Sequence, residues 1–375
     1  MKICILSEYA YSLVTNKNDA VGGAELQMTL LAKELAKRSY DVSFVVFANK
    51  ENTVKVIDGI KVYNPFDNQH SGYTYLYPQN MYKLFKLLCE INADIYIQMG
   101  TTPLTGAIAF FSKLKNKVFL YLAASDMDVS IALLIKSIKD LKKLFYRFGV
   151  KYCDCVICQS SHQKNLLKQT INKEGKIIKS LYPSSKIKYD ENATSKLKVI
   201  WVGRLIKEKR PELFLKLAKN LPEFRFWMIG SKANSSNAAY EYYCKIEEGA
   251  SRIKNLDFIG FVSHNKIDKY YAESSLFINT SPSEGFPNTF LEAWGNYIPI
   301  VTLGFDPDEI ICRHRLGIHS KTFDQMVKDV KTLLKNEKLR KEMGMNSWRY
   351  VKKEHDIKKI LQEFEKVIDQ LTVGG

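Results

Sequence analysis

The feature that most limits how this chain can fold is a regular alternation of short apolar runs with amphipathic stretches of helical period. In the first half, buried strands are predicted for the runs KICIL, DVSFVVF, DIYIQ, KVFLYL and DCVICQS. Helices are predicted between them at Ala24–Arg38, Tyr75–Ile91, Leu104–Lys115 and Ile131–Phe148. Strands that alternate with helices in this way form parallel sheets. The sequence therefore predicts an α/β fold.

The alternation breaks over residues 177–198, where polar and turn-forming residues collect. It restarts with strands predicted for VIWVG, FRFWMIG, LDFIGFV and SLFINTSP, and with helices from Pro211 and near Tyr240–Glu248. A chain of 375 residues exceeds one average domain. We therefore interpret the break as a linker between two α/β domains, residues 1–185 and 196–355.

The composition is that of a folded, globular protein, with 46% hydrophobic and 26% charged residues. The formal net charge of +16 favours an anionic partner: a nucleic acid, an anionic membrane surface or a phosphorylated ligand. No recognised nucleic-acid-binding module or array of base-stacking aromatic residues accompanies this charge, so a nucleic acid is not the expected partner.

The cysteine content and the lack of a recognisable targeting signal bear on the cellular compartment. The seven cysteines are an odd number scattered through a long chain, which is typical of a reducing environment. The apolar run at the start is too short for a signal peptide, and no run approaches the 18 or so apolar residues of a membrane span. We expect a cytoplasmic protein.

The stretch WVGRLIKEKRPELFLKLA carries cations at the end of a predicted strand. Gly203 is expected to allow a tight turn, and Pro211 to open the next helix. Arg204 and Lys209 flank the carboxyl end of the strand, where ligands bind in open parallel sheets. Two cations there suit a phosphate or diphosphate, and a solvated basic loop is the alternative.

The stretch SPSEGFPNTFLEAWG places two glutamates on either side of a helix start. Glu284 lies in a Gly285-Phe286-Pro287 turn, Asn288 is a favourable N-cap, and Glu292 lies about one turn inside the helix predicted for Thr289–Gly295. Such a helix start presents backbone N–H groups to an anion, and two carboxylates suit sugar hydroxyls. The alternative is an acidic first turn that stabilises the helix dipole.

A pair of glycines, Gly22 and Gly23, precedes the first long helix. Glycines before a helix N-terminus allow a phosphate to approach the backbone amides. The full G-x-G-x-x-G pattern is missing, so a simple turn is the stronger interpretation of this pair taken alone.

Taken together and in this order, G-G-x-E, G-R-L-x-x-x-K and E-G-F-P-N-x-x-x-E resemble the motifs of the retaining glycosyltransferases of family 4. The resemblance implies the GT-B fold, in which two Rossmann-like domains face a cleft. It also implies that the helix within residues 356–375, which carries an i, i+3, i+4 apolar face, crosses back onto the N-terminal domain.

The resemblance also implies roles. Arg204 and Lys209 would bind the diphosphate of a nucleotide-sugar donor, and the Gly22-Gly23 turn would approach it from the other domain. Glu284 and the backbone of residues 285–288 would hold a hexose-type sugar, and Glu292 the ribose. The acceptor would be a glycan or a lipid-linked molecule, in surface polysaccharide synthesis. Neither a metal nor a cofactor is expected.

The acceptor side departs from the family pattern. Many relatives carry a histidine where this chain has SDMD, Ser125–Asp128. Asp126 is the candidate contact there, and a turn or helix-capping aspartate is the alternative.

Two further stretches allow alternative interpretations. Cys153, Cys155, Cys158 and His162 could be assembled into a zinc site, but their setting favours a buried strand that leads into a helix. The basic amphipathic stretch over residues 131–153 is typical either of contact with an anionic membrane or of a solvated helix packed on a sheet. Two rival functions also remain: a nucleotide-sugar epimerase of the same fold and a basic nucleic-acid-binding protein.

Overall fold

The computed structural model describes residues 1–15, 22–47, 54–66, 76–130, 141–183, 197–232, 237–264 and 266–372. The chain divides into two compact units. The first comprises Met1–Leu181 together with Ile357–Gly375, and the second comprises Tyr182–Asp356. The polypeptide therefore passes between the units twice.

The strands lie in two sheets. Strands β1 to β8 belong to the first unit and β9 to β14 to the second. Their bounds are β1 Lys2–Leu6, β2 Asp41–Val45, β3 Val54–Ile57, β4 Ile60–Tyr63, β5 Ile95–Met99, β6 Val118–Leu122, β7 Cys155–Cys158, β8 Gly175–Ile177, β9 Lys198–Leu205, β10 Arg225–Lys232, β11 Leu256–Gly260, β12 Leu276–Asn279, β13 Ile300–Thr302 and β14 Gly317–His319.

The helices pack against these sheets and connect their strands. Short 3-10 turns occur at Asp126–Asp128, Lys207–Lys209 and Pro307–Glu309. The α-helices are α1 Tyr11–Val14, α2 Gly23–Lys37, α3 Pro78–Ile91, α4 Leu104–Leu114, α5 Leu141–Tyr152, α6 Ser161–Ile171, α7 Pro211–Asn220, α8 Asn237–Ser251, α9 Asp268–Ala272, α10 Asn288–Gly295, α11 Ile310–Arg313, α12 Phe323–Lys335, α13 Glu337–Glu354 and α14 Ile357–Thr372.

The first sheet has the strand order β3-β4-β2-β1-β5-β6-β7-β8. Its neighbouring strands are parallel except for the antiparallel pair β3 and β4 at one edge. The central strands are apolar on both faces because helices cover both sides, as parallel sheets require. This edge hairpin was not among the predicted strands.

Helices α2 and α14 cover one face of the first sheet, and α3, α4 and α5 cover the other. The apolar stripe of α14 is buried against α2 and the strands through Ile360, Leu361, Phe364, Val367 and Ile368. The terminal helix thus packs on the first unit, although the chain reaches it from the second.

The second sheet has the order β11-β10-β9-β12-β13-β14, with all neighbouring pairs parallel. Counted within the unit, this is the 3-2-1-4-5-6 order of a Rossmann sheet. The prediction of two parallel-sheet α/β domains is confirmed.

Several predicted helix bounds differ from those observed. The helix predicted from Ile131 runs to Tyr152 rather than Phe148, and its first ten residues, 131–140, lie outside the described residues. Tyr75, the predicted start of α3, also lies outside them. Within the described ranges, no helix combines the length and apolar character needed to cross a membrane.

Candidate active site

The order of the second sheet fixes where a ligand can bind. The direction of strand succession reverses between β9 and β12, and the crevice outside the carboxyl ends of two such strands is the usual ligand site of an open α/β sheet. The G-R-L-x-x-x-K motif begins with the last three residues of β9 and ends in the 3-10 turn after it, and the E-G-F-P-N motif follows β12. Two motifs that are far apart in the sequence therefore lie at one edge of one sheet.

A buried hydrogen-bonded chain joins these two strand ends. The Trp201 indole Nε1 donates to Thr280 Oγ1 over 3.0 Å, and Thr280 Oγ1 donates to the Lys209 carbonyl oxygen over 2.6 Å. Because Trp201 lies in β9 and Thr280 directly follows β12, these bonds fix the turn that carries Lys209 relative to the second motif.

The same turn aims the Lys209 side chain at the second motif. The Lys209 ammonium donates a hydrogen bond to Glu284 Oε1 and forms an ion pair with it. The side chains of Lys209 and Glu284 are 25% and 14% exposed, so the pair is largely shielded from solvent but still accessible. The two residues that the resemblance assigns to the diphosphate and the sugar are in direct contact.

Arg204 and Gly203 lie in β9 itself, which continues to Leu205. The Arg204 side chain is exposed, and within the part of the chain that the structure describes no ion pair involves its guanidinium. The expectation that Gly203 forms a tight turn is wrong, because the residue is part of the strand. A Cβ atom there would lie 3.1 Å from the Trp201 ring, so glycine leaves room for that indole.

The turn before α10 is anchored by aromatic packing. Gly285 and Phe286 are buried, and the Phe286 ring centroid lies 5.0 Å from that of His355 and 6.2 Å from that of Trp294. Pro287, rather than Asn288, is the N-cap, and no side-chain hydrogen bond caps the helix there. The helix thus begins one residue earlier than predicted. The first backbone N–H groups of a helix have no partner within the helix and can therefore donate to an anion.

Glu292 lies one turn inside α10, as predicted, and its side chain is only 8% exposed. Tyr271 of α9 donates a hydrogen bond to Glu292 Oε2 over 2.8 Å, and His264 Nδ1 lies 3.4 Å from Oε1. Burial, and then the nearby Glu292 carboxylate, raise the pKa of Tyr271 well above its ordinary value. Tyr271 therefore remains a hydroxyl that donates to Glu292 at neutral pH.

Sequence reasoning did not identify Tyr271 or His264 as neighbours of Glu292. Tyr271 lies within a short apolar stretch typical of core packing, and His264 has no partnered spacing. The packing of α9 against α10 brings Tyr271 to the carboxylate, and His264 reaches it from the segment between β11 and α9.

The Gly22-Gly23 pair forms the start of α2. Gly22 is the N-cap in extended conformation, with φ −83° and ψ 169°, and Gly23 is the first helical residue. A Cβ atom at Gly22 would overlap the Glu25 carboxylate, which folds back over the helix start. The N-terminus of α2 therefore already has a negative charge of its own chain beside it, which is favourable for the helix dipole.

The SDMD stretch contains one structural and one accessible aspartate. Asp128 is buried and accepts hydrogen bonds from Thr101, from the Ser125 side chain and from the backbone N–H groups of Ala124 and Ser125. Burial raises the pKa of Asp128, and these hydrogen bonds oppose the increase. The capping role thus belongs to Asp128.

Asp126, the predicted acceptor-side residue, is instead 20% exposed and lies beside His162 of α6. Asp126 Oδ2 is 3.7 Å from His162 Nε2, and the His162 side chain is 62% exposed. In the sequence, His162 stands out only as a possible zinc ligand. Its position at the start of the helix after β7, next to the turn after β6, could not be inferred from local spacing.

The three cysteines near His162 are core residues. Cys153, Cys155 and Cys158 are buried, and burial raises the pKa of Cys158 to about 12. Within the described ranges, no group of three or more His, Cys, Asp or Glu side chains has the arrangement of a metal site.

Family models match both units of the chain. The model described as "Glycosyltransferase Family 4" matches residues 21–178, and the model described as "Glycosyl transferases group 1" matches residues 184–349. A full-length relative from Campylobacter jejuni is 24% identical, with 93% of this chain and 96% of the relative covered. That protein is named as an α-1,4-N-acetyl-D-galactosaminyltransferase acting on a GalNAc-GalNAc-diNAcBac-PP-undecaprenol.

Solved structures share the whole fold. The sucrose-phosphate synthase of Thermosynechococcus elongatus has a TM-score of 0.80 at 13% identity, with both chains fully covered. The HepE protein of Anabaena in complex with UDP-glucose has a TM-score of 0.76 at 17% identity, over 99% of this chain and 100% of that one. These likenesses identify the fold as GT-B. With the two family matches and the motifs at the β9 and β12 ends, they show that the chain is a glycosyltransferase enzyme belonging to glycosyltransferase family 4.

Proposed function

We propose that this protein is a retaining, metal-independent glycosyltransferase that moves a hexose-type sugar from a nucleoside diphosphate-sugar to a glycan or lipid-linked acceptor. The observation that carries the proposal is the contact between Lys209 and Glu284 at the switch point of the second sheet. It brings a cation for a diphosphate and a carboxylate for a sugar to one side of one crevice. The two must be adjacent if both are to hold a single donor.

The chemistry follows from where charge develops. Breaking the anomeric C–O bond transfers its electron pair to the diphosphate, whose negative charge then rises. Arg204, Lys209 and the first backbone N–H groups of α10 would stabilise that charge. At about 4 Å and an effective dielectric constant of about 20, one such cation–anion contact is worth ~4 kcal/mol before desolvation.

The two glutamates would divide the rest of the donor. Glu284 and the backbone of residues 285–288 would hold the sugar, where a carboxylate accepts hydrogen bonds from hydroxyl groups. Glu292 would accept from the ribose hydroxyls through Oε1, while Tyr271 holds Oε2. For retention, the acceptor oxygen would attack the face that the diphosphate leaves, and the acceptor's proton would pass to the departing phosphate. No protein nucleophile is assigned.

The acceptor side and the cellular setting are proposed from the family resemblance and from a relative. Gly22, Gly23 and Asp126 are proposed to contribute from the first unit on the family resemblance. The name of the Campylobacter jejuni relative supports a lipid-linked glycan as the acceptor class. We propose action at the cytoplasmic face of a membrane in surface polysaccharide or glycan synthesis.

A thermal-shift screen of nucleoside diphosphates and their sugars tests the donor. A cognate ligand at 100 times its Kd stabilises the folded state by about 2.7 kcal/mol. With the donor identified, NMR of the anomeric proton should detect transfer with retention, and EDTA should leave the rate unchanged. Epimerisation of the donor without transfer would favour an epimerase. Salt-sensitive RNA binding with no nucleotide-sugar binding would favour a nucleic-acid-binding protein.

A further inference from the structure

Helix α5 carries two apolar stripes, and only one of them is covered. Tyr146 and Val150 are 2% and 1% exposed and face the interior of the first unit. Leu144 and Tyr152 are 49% and 44% exposed, and Phe148, which is partly buried against the core, lies between them on the same stripe. An ordinary surface helix needs one apolar stripe. A second stripe that remains exposed indicates an interaction surface.

The open stripe is held rigidly because α4 and α5 pack backbone to backbone. A Cβ atom at Gly106 would overlap the carbonyl group of Phe145, and one at Gly149 would overlap the backbone of Thr105. Two glycines thus allow the helices to approach closely, as small residues do at tight helix crossings. The aromatic side chains of α5 are therefore presented from a fixed platform.

An open groove of about 400 Å³ lies on this platform. Phe110 of α4, which is 49% exposed, forms part of the wall and stacks on Phe85 with ring centroids 6.2 Å apart. All but one of the lining residues are apolar, and we call this set the α4–α5 face: Leu76, Phe110, Lys142, Leu144, Phe145 and Phe148.

The charged side chains that α5 itself carries over Leu141–Tyr152 are all of one sign. The sequence of α5, LKKLFYRFGVKY, contains Lys142, Lys143, Arg147 and Lys151 and no carboxylate. An apolar trough bordered by cations matches the interface of an anionic bilayer, where acyl chains lie below negative head groups. A second copy of the chain fits poorly, because a symmetric interface would place like charges opposite each other.

We propose that the α4–α5 face seats on the surface of an anionic phospholipid bilayer. Phe110 and Leu144 insert among the acyl chains, one of which enters the groove, and the cations of α5 lie at the head groups. The inference rests on the proposed function, because a lipid-linked acceptor is reached at a membrane, and it names the surface that makes the contact.

Co-sedimentation of the full chain with vesicles tests the proposal. We expect binding to equimolar phosphatidylcholine–phosphatidylglycerol vesicles and much weaker binding to phosphatidylcholine alone. Replacing Lys142, Lys143 and Arg147 together by glutamine should lower the partition coefficient about 100-fold. Leu144→Glu should lower it about tenfold or more, because an apolar contact is replaced by a charge that the head groups repel.

Control variants make the same changes in net charge on the second unit. Replacing Lys219, Lys254 and Lys338 together by glutamine removes the same net charge from exposed positions, and Tyr240→Glu places a carboxylate at a residue that is 58% exposed. Both controls should retain most of the binding. Equal losses in the controls and the α5 variants, or wild-type binding by the α5 variants, would overturn the proposal.

The nucleotide-induced thermal shift of every variant separates this inference from the proposed function. It should match that of the wild type, because the altered residues lie outside the second sheet. A protein that binds nucleotide but not anionic vesicles contradicts only the membrane surface. One that binds vesicles through the α4–α5 face but no nucleotide contradicts only the proposed function.

Discussion

Lys209 donates a hydrogen bond to Glu284 across the ends of two adjacent strands, although the residues are 75 positions apart in the sequence. The cation proposed for the diphosphate is thus paired with a carboxylate before any donor binds. A bound diphosphate would place a second anion beside the same ammonium group. Lys209 would then contact both the leaving diphosphate and Glu284, the residue proposed to hold the sugar. The C–O bond that breaks joins these two parts of the donor.

Removal of the Lys209 charge should mainly affect turnover. We expect Lys209→Ala to lower kcat about 10²- to 10³-fold, as loss of one oxyanion-stabilising donor does. Lys207→Ala is the control, because Lys207 lies exposed in the same 3-10 turn, and it should keep its activity within about threefold. Steady-state kinetics with the identified donor and acceptor measure both variants. Near-normal turnover in Lys209→Ala would remove the residue from the mechanism.

Neutralising Glu284 should strengthen binding of the product diphosphate and lower turnover of the nucleotide-sugar. In Glu284→Gln, the Lys209 ammonium loses its competing carboxylate, so the free nucleoside diphosphate should bind about three- to tenfold more tightly. Turnover of the nucleotide-sugar should nevertheless fall about 100-fold, because the sugar loses a charged hydrogen-bond acceptor. Calorimetric titration with the diphosphate and kinetic assays measure the two effects. Weaker binding of the diphosphate would contradict the competition.

The Tyr271 hydroxyl should be needed to hold Glu292. We expect Tyr271→Phe to lower the free energy of unfolding by about 1–3 kcal/mol, because a buried carboxylate oxygen loses its donor. It should also raise KM for the donor more than it lowers kcat. Tyr270→Phe is the matched control on the same helix. Urea denaturation and donor kinetics compare the two, and equal effects of both variants would argue against a specific role for Tyr271.

Asp128 should make stability depend on pH. Its pKa is raised in the folded state above the ordinary value of 3.8, so between these two values the folded state binds more protons than the unfolded state. The free energy of unfolding should therefore fall as the pH rises through this window. Asp128→Asn lacks this titration. As the pH rises through the window, the free energy of unfolding of the variant should therefore increase relative to that of the wild type. Denaturation at several pH values measures this difference. A difference that moves the other way would show that the hydrogen bonds outweigh burial.

Two glycines within helices should respond oppositely to alanine. In α13, a Cβ atom at Gly344 would overlap the Tyr297 carbonyl oxygen just beyond α10, so Gly344→Ala should cost about 1–3 kcal/mol of stability. In α8, a Cβ atom at Gly249 would lie 3.0 Å from the flexible end of Leu215, and Gly249→Ala should be neutral or should stabilise by up to about 1 kcal/mol. Thermal denaturation measures both. Equal destabilisation by the two variants would contradict the packing of α13 on α10.

The parts of the site that could be predicted are those that depend on the spacing of residues within a short stretch of sequence. The end of β9, the turn after β12 and the position of Glu292 inside α10 follow from apolar runs and from the residues that interrupt them. Tyr271 and His264 could not be found in this way, because their link to Glu292 depends on how α9 and the segment before it pack against α10. Asp126 and His162 were each noticed, but for different reasons, and only the fold places them side by side.

The sequence by itself determined the α/β architecture, the buried stripe of the terminal helix and the two motifs of the second unit, because each depends on a periodicity or spacing within a short stretch. The tertiary structure decided which residues meet. It paired Lys209 with Glu284, gave the capping role to Asp128 rather than Asp126, and assigned Gly203 to making room for Trp201 in a strand instead of forming a turn. These outcomes depend on distances between segments far apart in the chain, which strand order and side-chain packing set and local patterns do not encode.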